Sequence, residues 1–130
     1  MTMTAENTDF VELPEIVSAE MALSMSDGGD LTIIDVRTPM EWMRSGVAKG
    51  AMMITPQNPA FMQDLNDAVE GDLARPIALI CATGQRSATI ARFLREQGYK
   101  AVTDVSEGMM GNRIASGWLQ KGLPTEQYTG

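Results

Sequence analysis

The sequence predicts an α/β fold with a mainly parallel sheet covered by helices on both faces. Short β-branched apolar runs recur along the chain, segments of helical periodicity fall between them, and turn residues separate the two. With 130 residues, 44% hydrophobic and 21% charged, the composition is near the globular average. It predicts one domain over residues 10–130 behind a flexible tail, residues 1–9. A chain of this length buries roughly two-thirds of the surface its unfolded form exposes, enough for a core without disulfides.

Residues 31–36, Leu-Thr-Ile-Ile-Asp-Val, read as a buried strand that stops at Arg37-Thr38-Pro39, because proline cannot continue a central strand. Residues 77–80 (Ile-Ala-Leu-Ile) form a second strand after Pro76, and residues 101–105 (Ala-Val-Thr-Asp-Val) a third after Gly98. Segments 10–13 and 51–54 are weaker strand candidates. Ser18 is placed to cap a helix over 19–26, closed by Gly28-Gly29. Asn58-Pro59 supplies an N-cap and first helical residue ahead of Phe61, Met62, Leu65, Ala68 and Val69 at helical spacing. Residues 87–97 put Ile90, Ala91 and Leu94 on one helix face, with Gly98 following the end. A last helix is expected to carry Trp118 and end at Gly122, before Pro124.

There is one cysteine, Cys81, and no histidine. An intramolecular disulfide, a His/Cys zinc site, a Ser-His-Asp triad and a Cys-His dyad are therefore excluded, and no metal site or cofactor is expected. Any nucleophile must be activated without imidazole. The net charge of -7 argues against nucleic-acid binding, which needs a basic face. Residues 1–36 hold eight acids and no base, whereas residues 75–100 hold five bases against Glu96 alone, so that later stretch is the one suited to an anion. With no basic and apolar leader, no long apolar run and an unpaired cysteine, the expected compartment is the cytoplasm, with no membrane partner.

Cys81 directly follows the run Ile77 to Ile80 and precedes Ala82-Thr83-Gly84-Gln85-Arg86-Ser87 and a helix. This puts it at a strand-to-helix turn at the carboxyl end of a parallel sheet, where ligand crevices form. Gly84 lets the backbone curl, so that N–H groups from Ala82 to Ser87 can converge on an anion. The helix N-terminus and Arg86 would stabilise a thiolate without histidine. A lone cysteine is more often an inert core residue. Strand exit, glycine at +3, arginine at +5 and helix cap at +6 together favour the nucleophile.

The segment Cys81-Ala82-Thr83-Gly84-Gln85-Arg86-Ser87 resembles the Cys-x-x-Gly-x-Arg-Ser active-site loop of rhodanese domains, which are sulfurtransferases. Asp35-Val36-Arg37-Thr38-Pro39-Met40-Glu41-Trp42 is similar to their Asp-Val-Arg-x-x-x-Glu-aromatic segment. Gly46-Val47-Ala48-Lys49-Gly50-Ala51 resembles Gly-His-Ile-x-Gly-Ala, and Trp118 to Pro124 resembles Trp-x-x-x-Gly-Leu-Pro. The resemblance covers about residues 10–125. It implies a three-layer α/β/α domain with a five-stranded, mainly parallel sheet, and a persulfide intermediate on Cys81. Val47 stands where the family usually has histidine. Between Gly108 and Trp118 lie nine residues, Met109 to Gly117, more than the family's usual spacing, and this loop should stand beside the active-site loop.

The resemblance further implies a small sulfur anion such as thiosulfate as donor, Arg86 as its anchor, and an external acceptor: cyanide, a thiol or a protein. A single cysteine cannot resolve its own persulfide as a disulfide. A sulfur-relay module serving a partner protein would differ only in its acceptor. A cysteine phosphatase would need five residues between cysteine and arginine, and here there are four. Near the crevice, Arg37 is expected to pair with Glu41 and brace the turn, and Asp35 to accept N–H bonds from the active-site loop. Met109 and Met110 are candidates for an apolar pocket rim. Met21, Met62 and Met52 or Met53 read as core filler, and Trp42 and Trp118 as packing residues.

Overall fold

The computed structural model describes residues 13–128. Five parallel strands form the central sheet: β1 (Ile16–Val17), β2 (Thr32–Asp35), β4 (Met52–Met53), β5 (Ile77–Ile80) and β6 (Val102–Val105), in the order β1-β6-β5-β2-β4. β3 (Val47–Ala48) pairs antiparallel with β7 (Thr125–Glu126) in a separate two-stranded sheet. The helices are α1 (Ala19–Asp27), α2 (Pro39–Ser45), α3 (Phe61–Ala68) and α4 (Gln85–Glu96). Strand position follows apolar content. β5 and β6 are buried throughout, β2 nearly so, whereas the edge strands β1 and β4 are two residues long and, apart from the buried Val17, exposed.

Alternation along the strands divides the core in two. Ile33, Ala78, Ile80 and Val105 pack with Ala19 and Ala22 of α1 on one face. Ile34, Ile77, Leu79, Cys81 and Val102 pack with Leu65 of α3 and Ala91 and Leu94 of α4 on the other. The expected α/β/α architecture is confirmed, and Cys81 belongs to the α3/α4 side.

Several elements differ from the sequence expectations. The first strand is Ile16–Val17; of the candidate segment 10–13, residues 10–12 lie outside the described residues and Leu13 is not in a strand. α2 was not anticipated, although Thr38-Pro39-x-Glu41 carries its signal. Thr38 Oγ1 accepts from Glu41 N–H, Glu41 Oε1 accepts from Thr38 N–H, and Pro39 fills the first turn. α3 begins at Phe61, because Asn58 Oδ1 accepts from Ala60 N–H at 2.9 Å and its carbonyl from Phe61 N–H, closing a turn ahead of the helix. α4 begins at Gln85, two residues early. Around Trp118 there are only turns: Lys121 N–H reaches Gly117 O, while the indole N–H of Trp118 donates to Pro124 O at 2.8 Å and pulls the chain across the core. Trp42 and Trp118 are buried, but Met21, Met52 and Met53 are exposed, on the outer face of α1 and on an edge strand.

Candidate active site

β5 ends at Ile80, and α4 starts at Gln85, so the connection is only Cys81 to Gly84. Gly84 makes this possible. Its φ of 102° is left-handed, and a Cβ there would overlap the Ser106 carbonyl oxygen. The first N–H groups of a helix have no acceptor within it. Here Gly84 N–H and Ser87 N–H both donate to Cys81 Sγ, at 3.2 and 3.3 Å. Cys81 is 1% exposed. Its thiol donates to Ser87 Oγ at 3.3 Å, and Ser87 Oγ lies 3.2 Å from the Gly84 carbonyl, to which it donates. Ala82 is half-buried, while Thr83, Gln85 and Arg86 face outward.

The segment after β6 is laced onto this turn. Met109 N–H donates to Cys81 O and Met110 N–H to Ala82 O, both at 2.8 Å. Asn112 Nδ2 donates to Thr83 O and to Ser106 O, each at 3.0 Å, while its Oδ1 accepts from Ile114 and Ala115 N–H. The long loop thus lies directly against the cysteine turn. Met109 does not line a pocket: it is fully buried in the core cluster under Trp118, because its N–H is tied to the strand end and its side chain turns inward. Met110 is exposed and lines a cavity of about 360 Å³ with Arg37, Glu41, Arg44, Ser45 and Leu119.

Two ion pairs differ from the expected partners. Arg37 does not brace Glu41. Its Nε and Nη2 grip the Asp35 carboxylate at 2.8–3.1 Å, with both residues at most 1% exposed, and Nη1 and Nη2 go on to Ser45 Oγ and Gly46 O. Asp35 accordingly receives its N–H bonds from Arg37, backbone included, rather than from the cysteine loop. A carboxylate with no water must be compensated within reach, and Arg37 is two residues away. Glu41 instead takes Arg86 in a bidentate pair of 2.8 and 2.9 Å. Arg86, foremost through its hydrogen bonds, holds the Glu41 carboxyl down at about 2, and the same pairing with Glu41 raises the Arg86 guanidinium.

Asp104 of β6 was not singled out from the sequence, although an acid inside a β-branched run is a readable sign of a buried carboxyl. It is 3% exposed, and its Oδ1 has no hydrogen-bond partner among the described residues. Burial pushes its carboxyl up, against smaller opposing effects of the Ser87 hydroxyl and the Arg95 charge. No helix among the described residues is long and apolar enough to cross a membrane.

Comparison with known proteins agrees with this geometry. The chain is 32% identical over 114 residues to thiosulfate sulfurtransferase GlpE of Actinobacillus succinogenes, covering 88% of this chain and 92% of that one. It is 30% identical over 98 residues to an uncharacterised protein of Rickettsia prowazekii, covering 71% and 80%. Its fold superposes with a TM-score of 0.67 and 28% identity on the polysulfide-sulfur transferase homodimer of Wolinella succinogenes, over 97% of this chain and 85% of that one. The sequence model of the Rhodanese-like domain matches residues 18–113, which contain the cysteine turn and the segment that supplies Glu41. With these matches over most of its length, the chain belongs to the rhodanese-like domain family.

Proposed function

We propose that this protein is a sulfurtransferase that carries sulfane sulfur on Cys81. The observation that carries the reading is the Cys81 sulfur at the head of α4, with the Gly84 and Ser87 N–H groups aimed at it. These two donors favour negative charge on sulfur, first as thiolate and then as persulfide. The thiolate attacks the outer sulfur of thiosulfate or of a persulfide donor. With thiosulfate, the new S–S bond forms as the old one breaks, and sulfite leaves with the bonding pair. A thiophilic acceptor such as cyanide or a thiol then takes the outer sulfur and restores the thiolate. Arg86, on the outer rim of the turn, anchors the anionic donor after exchanging Glu41 for it.

Intact mass provides the test. Thiosulfate should add one sulfur atom to the protein, cyanide should remove it, and Cys81→Ser should take none up. An unchanged wild-type mass, or uptake by Cys81→Ser, overturns the reading.

A further inference from the structure

We propose that the cavity between α2 and the long loop seats the sulfur acceptor, and that Arg44 selects there a small thiol that carries a carboxylate. The inference rests on Cys81 being the sulfur carrier and extends that reading to the second half of the reaction. Arg44 determines specificity in this scheme and takes no part in the bond changes.

The cavity stands at the carboxyl ends of the strands, where Cys81 also lies. α2 follows β2, and the segment bearing Met110 and Leu119 follows β6. The volume of about 360 Å³ is that of a small-molecule site and far more than cyanide fills. Two of the lining residues are joined to the cysteine turn. Met110 N–H donates to Ala82 O at 2.8 Å, and Glu41 holds Arg86 at 2.8 and 2.9 Å. A ligand seated between them lies alongside the turn that bears the sulfur.

The charges of the lining decide what fits. Arg37 is committed to Asp35 and Glu41 to Arg86, so both are neutralised at short range. Arg44 is exposed and forms no ion pair among the described residues, which leaves the cavity one uncommitted cation. Its place in the last turn of α2 suits the helix dipole. Gly46 N–H already satisfies Trp42 O at that end, so the guanidinium remains available to a ligand. A guanidinium matches a carboxylate in a two-point pair. Met110, 48% exposed, and Leu119 add apolar surface for a short aliphatic stem. To accept sulfur, such a ligand must also carry a thiol. Its thiolate attacks the outer sulfur of Cys81–S–SH. The new S–S bond forms as the bond to Cys81 Sγ breaks, Cys81 leaves as thiolate with the bonding pair, and the product is the persulfide of the acceptor. Sulfite has departed before this step, so Glu41 is back on Arg86 and its charge is compensated when the acceptor carboxylate enters.

The test is single-turnover discharge of the thiosulfate-loaded protein, followed by intact mass, with 3-mercaptopropionate and with its uncharged analogue 3-mercaptopropanol. The readout is the ratio of the two second-order rate constants, in which the reactivity of the persulfide itself cancels. Arg44→Gln should lower that ratio about threefold, the worth of one exposed pair, and Arg44→Glu should lower it further. Lys100→Glu changes the net charge as much as Arg44→Glu does, but Lys100 lies exposed ahead of β6, at the opposite end of the strands, and this variant should keep the wild-type ratio. The proposal fails if neither Arg44 variant moves the ratio, or if Lys100→Glu moves it as far as Arg44→Glu. It fails equally if the Arg44 variants impair loading by thiosulfate instead, which would put the donor in the cavity. A wild type that takes up no sulfur sinks the Cys81 reading itself, whereas a persulfide discharged without regard to Arg44 sinks this inference alone.

Discussion

Replacing Glu41 by Gln should tighten the binding of an anionic donor, because Glu41 occupies the guanidinium that the donor needs. Its carboxyl lies near 2 against an ordinary 4.5. Taken at face value that drop is worth up to about 3 kcal/mol. The Arg86 side chain is 45% exposed, and screening brings the pair to about 1 kcal/mol. A thiosulfate ion that displaces Glu41 must offset that amount, so Glu41→Gln should lower the thiosulfate KM about fivefold with little change in kcat. The variant can still accept from Thr38 N–H, so the start of α2 is kept. The assay is thiosulfate:cyanide turnover at fixed ionic strength. A KM that is unchanged or higher in a folded variant would refute the competition between Glu41 and the donor for Arg86. The same pair has a stability signature. Because the folded carboxyl is depressed, its contribution is complete above pH 4.5 and is lost as pH falls from there toward 2. Glu41→Gln should abolish that part of the acid sensitivity in urea unfolding curves.

Three further outcomes follow from the geometry. Gly84→Ala forces a left-handed residue and a side-chain atom against Ser106 O, and should abolish sulfur uptake while lowering Tm by several degrees; near-normal uptake would show that the tight turn is dispensable. Arg37→Met leaves the fully buried Asp35 carboxylate uncompensated, and should cost about 3–5 kcal/mol in denaturant unfolding; a cost under about 1 kcal/mol would mean that Asp35 protonates cheaply. Asn112→Ala removes the bonds to Thr83 O and Ser106 O. Amide exchange over residues 106–115 and alkylation of Cys81 should both accelerate with little change in Tm, and unaltered rates would show that Asn112 does not hold the loop closed.

The central strands were legible because their signal is local. The run Ile77 to Ile80 is apolar on both faces, and only a strand buried on both sides accommodates that. Ser18 likewise announces α1, its hydroxyl accepting from Met21 N–H at 3.1 Å. The edge strands could not be read in this way. Ile16 is 59% exposed, and two residues become a strand there only because β6 offers a free edge. β3 and β7 lie far apart in sequence and are joined by a tertiary pairing. The stretch after Gly117 has helical turns in its bonding, yet burial of Trp118 and its bond to Pro124 stop them from extending.

Around the candidate site, spacing misleads where burial decides. Arg37 and Glu41 stand four apart at the head of a helix, a separation at which opposite charges often meet. Asp35 changes the outcome, because it is fully enclosed while Glu41 keeps 29% of its side chain in solvent. The dry carboxylate loses far more from isolation than the wet one, so it captures the nearest guanidinium and leaves Glu41 to find another. That other is Arg86, 45 residues away in the chain, brought close by packing that no local pattern encodes. The same reasoning separates the two arginines by role. Arg37, buried and holding Asp35, Ser45 and Gly46 at once, cannot leave without stranding a charge. Arg86, half in water and held among the described side chains by Glu41 alone, can exchange its partner for an incoming anion at a cost of about 1 kcal/mol.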